Sequence, residues 1–232
     1  MDHAIAISSH LASVSAERAA RAADPALGAQ VDRVKHYQQE RFRQTYADLL
    51  SSPRYAGAAE FFLEELYGPS DFSQRDAEFA RIVPALVRLF PAEVVRTVES
   101  LGALHALSER FDTAMGRALD QDATGRLSSA DYGRAWRACG DSPGRRQQIG
   151  LVRSVGESID RLTRVPMLRT SLRLMRGPAR ASGLGTLQAF LETGFDQFHA
   201  MNGADAFLSI IEGRESALAE SLFDARGDRQ AG

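Results

Sequence analysis

Between residues 94 and 119 an apolar stripe at helical spacing, Val94, Val98, Leu101, Met115 and Leu119, is continued through His105, Ser108 and Asp112. Buried polar groups are costly unless paired, so each of these three needs a partner from another element. A second polar set lies upstream in Glu60-Phe61-Phe62-Leu63-Glu64-Glu65-Leu66-Tyr67. A helix turning about 100° per residue puts Glu65 between Phe61 and Phe62, and Glu60 and Glu64 between Phe61 and Tyr67. At least one carboxylate is therefore expected to be partly buried, with Arg75, Asp76 or Arg81 downstream to meet it. Two chemistries fit a cluster of Glu65, Arg75, Asp76, His105, Ser108 and Asp112. One is a polar network that fixes helix register, which is the expected reading. The other is a pocket for a small ligand, haem or metal built around His105, Asp112 and Glu65. A di-iron carboxylate bundle would need two Glu-x-x-His units. The nearest pattern is Asp196-x-x-His199 with Glu192 one turn before it, at a helix edge where a solvated face is expected.

The segment DQDATGRLSSAD (residues 120–131) matches a twelve-residue calcium loop in several positions. Asp120, Asp122 and Thr124 take the first, third and fifth places, Gly125 the turn, and Asp131 the twelfth. Asp131 is shorter than the glutamate that normally closes such a loop, Thr124 is a neutral ligand, and no second loop pairs with it. The competing reading is a polar interhelical loop in which Ser128 or Ser129 caps the next helix and Asp131 lies in its first turn. No cofactor is predicted, and calcium is a weaker alternative.

Residues 145–180 carry nine arginines (Arg145, Arg146, Arg153, Arg161, Arg164, Arg169, Arg173, Arg176 and Arg180) against Glu157 and Asp160. Such a stripe could contact phosphates. It lacks a stacking platform, because no aromatic residue occurs between Arg137 and Ala189. Arginines that are solvated or paired with acids elsewhere are the expected outcome, and nucleic acid is not favoured as a partner. Gly140-Asp141-Ser142-Pro143-Gly144 has the letters of a hydrolase nucleophile elbow, but a helix precedes it and Pro143 removes the N–H the oxyanion would need. Gly183-x-Gly185 follows no strand and is not a dinucleotide loop. It is expected to let two helices approach, as is Gly194.

The elements that position these residues are helical. Alanine outnumbers valine, isoleucine and threonine combined, and no stretch alternates as a strand would. Pro25 opens a long helix, and Pro53 precedes one over residues 55–67 that stops at Gly68-Pro69. Ser73 is placed to cap the next helix, which should kink or end near Pro84. Pro91 begins the long helix reaching about Leu119. Further helices are expected from 129 through Trp136, over 145–164, up to Gly177-Pro178, and over 184–201 and 204–223. The fold class is all-α: a compact single-domain bundle of about eight to ten helices. It comprises an N-terminal helical extension (1–24) whose docking or mobility is left open, a helical domain (25–224) and a frayed tail (225–232).

Net charge is −2, hydrophobic content 44% and charged content 25%, so no global field draws the chain to nucleic acid or membrane. Its one cysteine, Cys139, excludes an internal disulfide and a multi-cysteine zinc site and suits a reducing compartment. No uncharged apolar run is long enough to span a membrane, and the start lacks a secretory pattern, so the expected location is cytoplasmic. Lys35 is the only lysine beside 27 arginines, a bias read as genomic composition.

The string FFLEELY, continued by GPSDFSQRDAEFARIVPALVRLFP, resembles the FFLEELY motif proteins, a bacterial group, and RLMRGPARASGLGTLQAFLETGF and FHAMNGADAFLSIIEGRE are similar to the same family. The resemblance spans about residues 25–220. It implies a bacterial helical protein and carries neither an activity nor catalytic residues. Together the residues favour a non-enzymatic helical protein that acts through contacts with an unknown protein partner or with itself, or as a structural module. The buried polar site is the alternative.

Overall fold

In the computed structural model, residues 3–65 and 72–224 are described, and among them there is no strand. They form α1 (His3–Ala23), α2 (Pro25–Thr45), α3 (Ala47–Leu50), α4 (Ala56–Glu65), α5 (Ser73–Leu89), α6 (Ala92–Ala118), α7 (Ser129–Cys139), α8 (Ser142–Thr163), α9 (Leu168–Leu174), α10 (Arg176–Ala181), α11 (Gly185–Met201) and α12 (Asp205–Asp224). The all-α reading holds. The excess over eight to ten helices comes from short pieces, α3 and the separate α10. Leu66 and Tyr67 of the FFLEELY string, the Gly68-Pro69 stop and the 225–232 tail lie outside the described residues.

Three apolar clusters hold the bundle. Phe42, Tyr46, Phe62, Phe198 and Phe207 join α2, α4, α11 and α12. Val34, Met115, Tyr132 and Trp136 join α2, α6 and α7. Ile7 and Leu11 of α1 pack on Val83, Leu86 and Val95 of α5 and α6. Through Ile7, Leu11 and Val14, one helical face of α1 is buried, and the N-terminal segment lies docked along the rest of the fold. Gly194 permits the close crossing of α11 on α4, since a Cβ there would stand 2.8 Å from the Phe61 ring. Gly183 serves differently: its φ of +66° is a left-handed turn residue.

Local expectations are corrected at three places. Ser73 is the first residue of α5 rather than its cap, and Phe72 occupies the cap position with no side-chain hydrogen bond. Its ring instead lies 4.1 Å from the Arg75 guanidinium, which anchors the helix start. Pro84 does not end α5, which continues to Leu89. Gly177-Pro178 falls in the first turn of α10, where a missing N–H costs nothing because those donors have no intrahelical partner. The Gly140–Gly144 string is a helix start: Asp141 caps α8 by accepting from Gly144 N at 2.8 Å.

A charged cavity along the central helix

α6 is buried on most of its circumference, through Val95, Gly102, Leu104, Ala106, Glu109, Phe111 and Thr113. The stripe expected to be its most buried face is different. Val98, Leu101, His105 and Ser108 are only half-buried and line a partly open cavity of about 150 Å³, whereas Met115 and Leu119 further along the stripe are packed in the core. All six residues of the sequence-predicted cluster, Glu65, Arg75, Asp76, His105, Ser108 and Asp112, line the cavity. The opposite wall is apolar and comes from α8, α11 and α12, including Ile149, Val152, Leu187, Leu191 and Ile211.

The polar wall is a chain of charge pairs. Glu65 is half-buried and meets Arg75 at 3.0 Å, while Glu60 and Glu64 are exposed. Arg75, sandwiched against Phe72 and Phe190, lies 3.7 Å from Asp76. Arg81 is not part of this group and donates to the Gly183 carbonyl. Asp76 Oδ2 meets His105 Nε2 at 2.8 Å and Arg18 of α1 at 2.9 Å. Burial pulls the Asp76 carboxyl upward, but His105, Arg18 and Arg75 outweigh it and leave it below its ordinary value. Burial lowers Arg75, against the raising effect of Asp76 and Glu65.

Further along α6, Glu109 is 3% exposed and pairs with Arg21 of α1 and with Lys35 of α2, the latter at 3.1 Å. Burial alone would raise its carboxyl, but Lys35 and Arg21 hold it down at about 2. Asp112 accepts from Gln38 at 3.1 Å and has Lys35 only at 4.0 Å, so burial prevails and its carboxyl is pushed upward. Ser108 accepts from Gln148 at 2.8 Å. At the far end, the Arg145 guanidinium lies 3.8 Å from both the Phe111 and the Trp136 rings. It donates to Gln148 Oε1 at 3.1 Å. Arg41 engages both oxygens of Glu215, to which Tyr46 also donates.

Sequence reasoning missed Lys35, Gln38, Glu109, Arg145, Gln148 and Trp136. Glu109 had a usable signal, one turn beyond His105 on the same face. Lys35 stood out as the only lysine, and Arg145 was counted with the solvated arginines although it is 4% exposed. The other arginines of that stretch mostly find acids: Arg153 meets Glu157, Asp205 and Glu212, Arg161 meets Glu93, Arg169 meets Asp196, and Arg176 meets Glu192. Glu192 and Asp196, flagged with His199, are thus half-buried partners of arginines.

The 120–131 loop is organised by its own cap and by α2. Asp120 accepts from Asp122 N, Ser128 caps α7 at Asp131 N, and Asp131 pairs with Arg134. Gln30 and Arg33 donate to the carbonyls of Gln121, Ala123 and Gly125. Thr124 is exposed in the same loop. Among the described residues no three His, Cys, Asp or Glu side chains converge to hold a metal ion, so the loop does not bring Asp120, Asp122 and Asp131 together. Also among the described residues, no helix is long and apolar enough to cross a membrane.

No curated protein and no solved structure matches the chain. Residues 17–229 match a family described as a domain of unknown function, DUF8198. That span starts just before Arg18 and Arg21 and includes every charged residue of the cavity wall. The chain belongs to the DUF8198 domain family.

Proposed function

We propose that this domain binds a small molecule in the cavity along α6, and that the polar cluster serves this site as well as helix register. One observation carries the reading: the middle of the α6 stripe that sequence periodicity assigns to the core, Val98, Leu101, His105 and Ser108, lines open space, while Met115 and Leu119 at its end are packed in the core. Folded interiors are close-packed, with few voids larger than a water molecule. An apolar cavity of about 150 Å³ holds a molecule the size of benzene. The single tryptophan, Trp136, lines the cavity and provides a built-in reporter. The test titrates the protein with octanol, octanoate, octylamine and benzyl alcohol while following Trp136 emission and melting temperature. Saturable binding of any one, abolished by Val152→Phe, supports the reading. No response to all four refutes it.

A second reading, action through contacts with another copy of the chain, is favoured by α9. None of its residues is buried, and Met167 and Leu174 are 76% and 73% exposed. Sedimentation over a hundredfold concentration range tests it, with a constant monomer as the refuting result. The resemblance to FFLEELY motif proteins and the lone Cys139 support a bacterial, cytoplasmic setting for either role.

A further inference from the structure

The hydrogen-bonding groups left open along the cavity specify a ligand class, an inference that rests on the ligand-binding reading above. The charges of the lining do not select a charged ligand, because they are matched to one another and to α1. Glu65 meets Arg75 at 3.0 Å, Asp76 meets Arg18 at 2.9 Å, Glu109 meets Lys35 at 3.1 Å and Glu215 meets Arg41 at 2.8 Å. An ammonium entering this space comes up against Lys35, and a carboxylate against Asp112 and Glu109. Burying either without a countercharge of its own is costly.

Two groups on one face of α6 are incompletely bonded. Asp112 is 9% exposed. Its Oδ1 accepts from Gln38 at 3.1 Å, while among the described residues its Oδ2 accepts no hydrogen bond and has Lys35 only at 4.0 Å. One turn earlier, the Ser108 hydroxyl accepts from Gln148 at 2.8 Å and donates to no group among the described residues. Residues four apart on a helix are neighbours on its surface, and both of these line the cavity. The site thus offers an acceptor beside a donor. A hydroxyl group is donor and acceptor at once and satisfies both, whereas an ammonium only donates and an ether or a carboxylate only accepts. Burial pushes the Asp112 carboxyl upward, the direction of a carboxylate short of donors.

The rest of the space is apolar, with Val98 and Leu101 on α6 and Val152, Leu187 and Leu191 on α8 and α11. Its volume of about 150 Å³ suits an occupant of about six to eight non-hydrogen atoms. We propose that the cavity takes a small uncharged alcohol, whose hydroxyl donates to Asp112 Oδ2 and accepts from Ser108 and whose hydrocarbon part lies among Val98, Leu101, Val152 and Leu187.

The test compares hexanol with methyl pentyl ether, its isomer without a donor, and with hexylamine and hexanoate, read by Trp136 emission and calorimetry on the wild-type chain. Hexanol is expected to bind roughly tenfold or more tightly than each of the others. Ser108→Ala should weaken hexanol and the ether alike, by roughly fivefold. Asp112→Ala should weaken hexanol alone and remove its preference over the ether, with circular dichroism checking that both variants are folded. Equal weakening of hexanol and the ether in Asp112→Ala overturns Asp112 as the acceptor. The ether matching hexanol on the wild-type chain overturns the hydroxyl assignment, and hexylamine or hexanoate matching it overturns the uncharged class; each leaves the ligand-binding reading standing. Absence of binding by all four overturns this inference, and the ligand-binding reading falls with it when octanol, octanoate, octylamine and benzyl alcohol fail as well.

Discussion

Replacing Glu109 by glutamine leaves Arg18, Arg21 and Lys35 converging on a neutral group in the interior. The Glu109 carboxyl lies about 2, against an ordinary 4.5. By linkage that difference corresponds to on the order of 3 kcal/mol of folding stability. The sign follows from a depressed folded-state value: the contribution is complete above about pH 4.5, falls as Glu109 protonates, and is gone below about pH 2. At pH 7, Glu109→Gln should therefore lose on the order of 3 kcal/mol, a large share of the roughly 5–15 kcal/mol typical of a domain. A chain of this size should melt roughly 6–12 °C lower. Urea unfolding of wild type and variant from pH 7 down to pH 2.5 checks this, with the two stabilities converging as pH falls. A difference that stays constant with pH, or grows toward acid, would show that the ion cluster does not hold Glu109 ionised.

Asp112 should behave oppositely. Its carboxyl is raised by burial, so its ionisation costs stability above its folded-state value and costs nothing below the ordinary 3.8; Asp112→Asn should stabilise at pH 8 and become neutral near pH 3, as measured by urea midpoints. Gly194→Ala places a Cβ 2.8 Å from Phe61 and should destabilise by about 1–3 kcal/mol. Gly150→Ala, exposed on α8 with nothing within 4 Å, should instead gain about 1 kcal/mol from helix propensity; equal effects of the two in chemical denaturation would contradict the crossing geometry. Asp24→Ala removes the acceptor for Leu27 N at the start of α2 and should cost about 1 kcal/mol in the same assay. Calcium at millimolar concentration should give no calorimetric heat and no change in melting temperature, because Asp131 is engaged by Ser128 and Arg134; a saturable heat would restore the loop as a metal site.

Helix content, the main helix positions and the membership of the polar cluster were legible from the sequence, because they depend on local periodicity and the cost of burying polar groups. His105, Ser108 and Asp112 stood out as polar residues on an apolar stripe, and the structure brings them together with Glu65, Arg75 and Asp76 around one cavity. Their partners were not legible. Arg18, Arg21, Lys35 and Arg145 come from α1, α2 and α8, far away in sequence, and surface and interior arginines look alike until the helices pack. Nor could periodicity separate a stripe that packs against a neighbour from one that lines a void, because both require the same apolar spacing. Whether space is left in front of that stripe depends on how α8, α11 and α12 cross α6, and only the tertiary structure sets those distances.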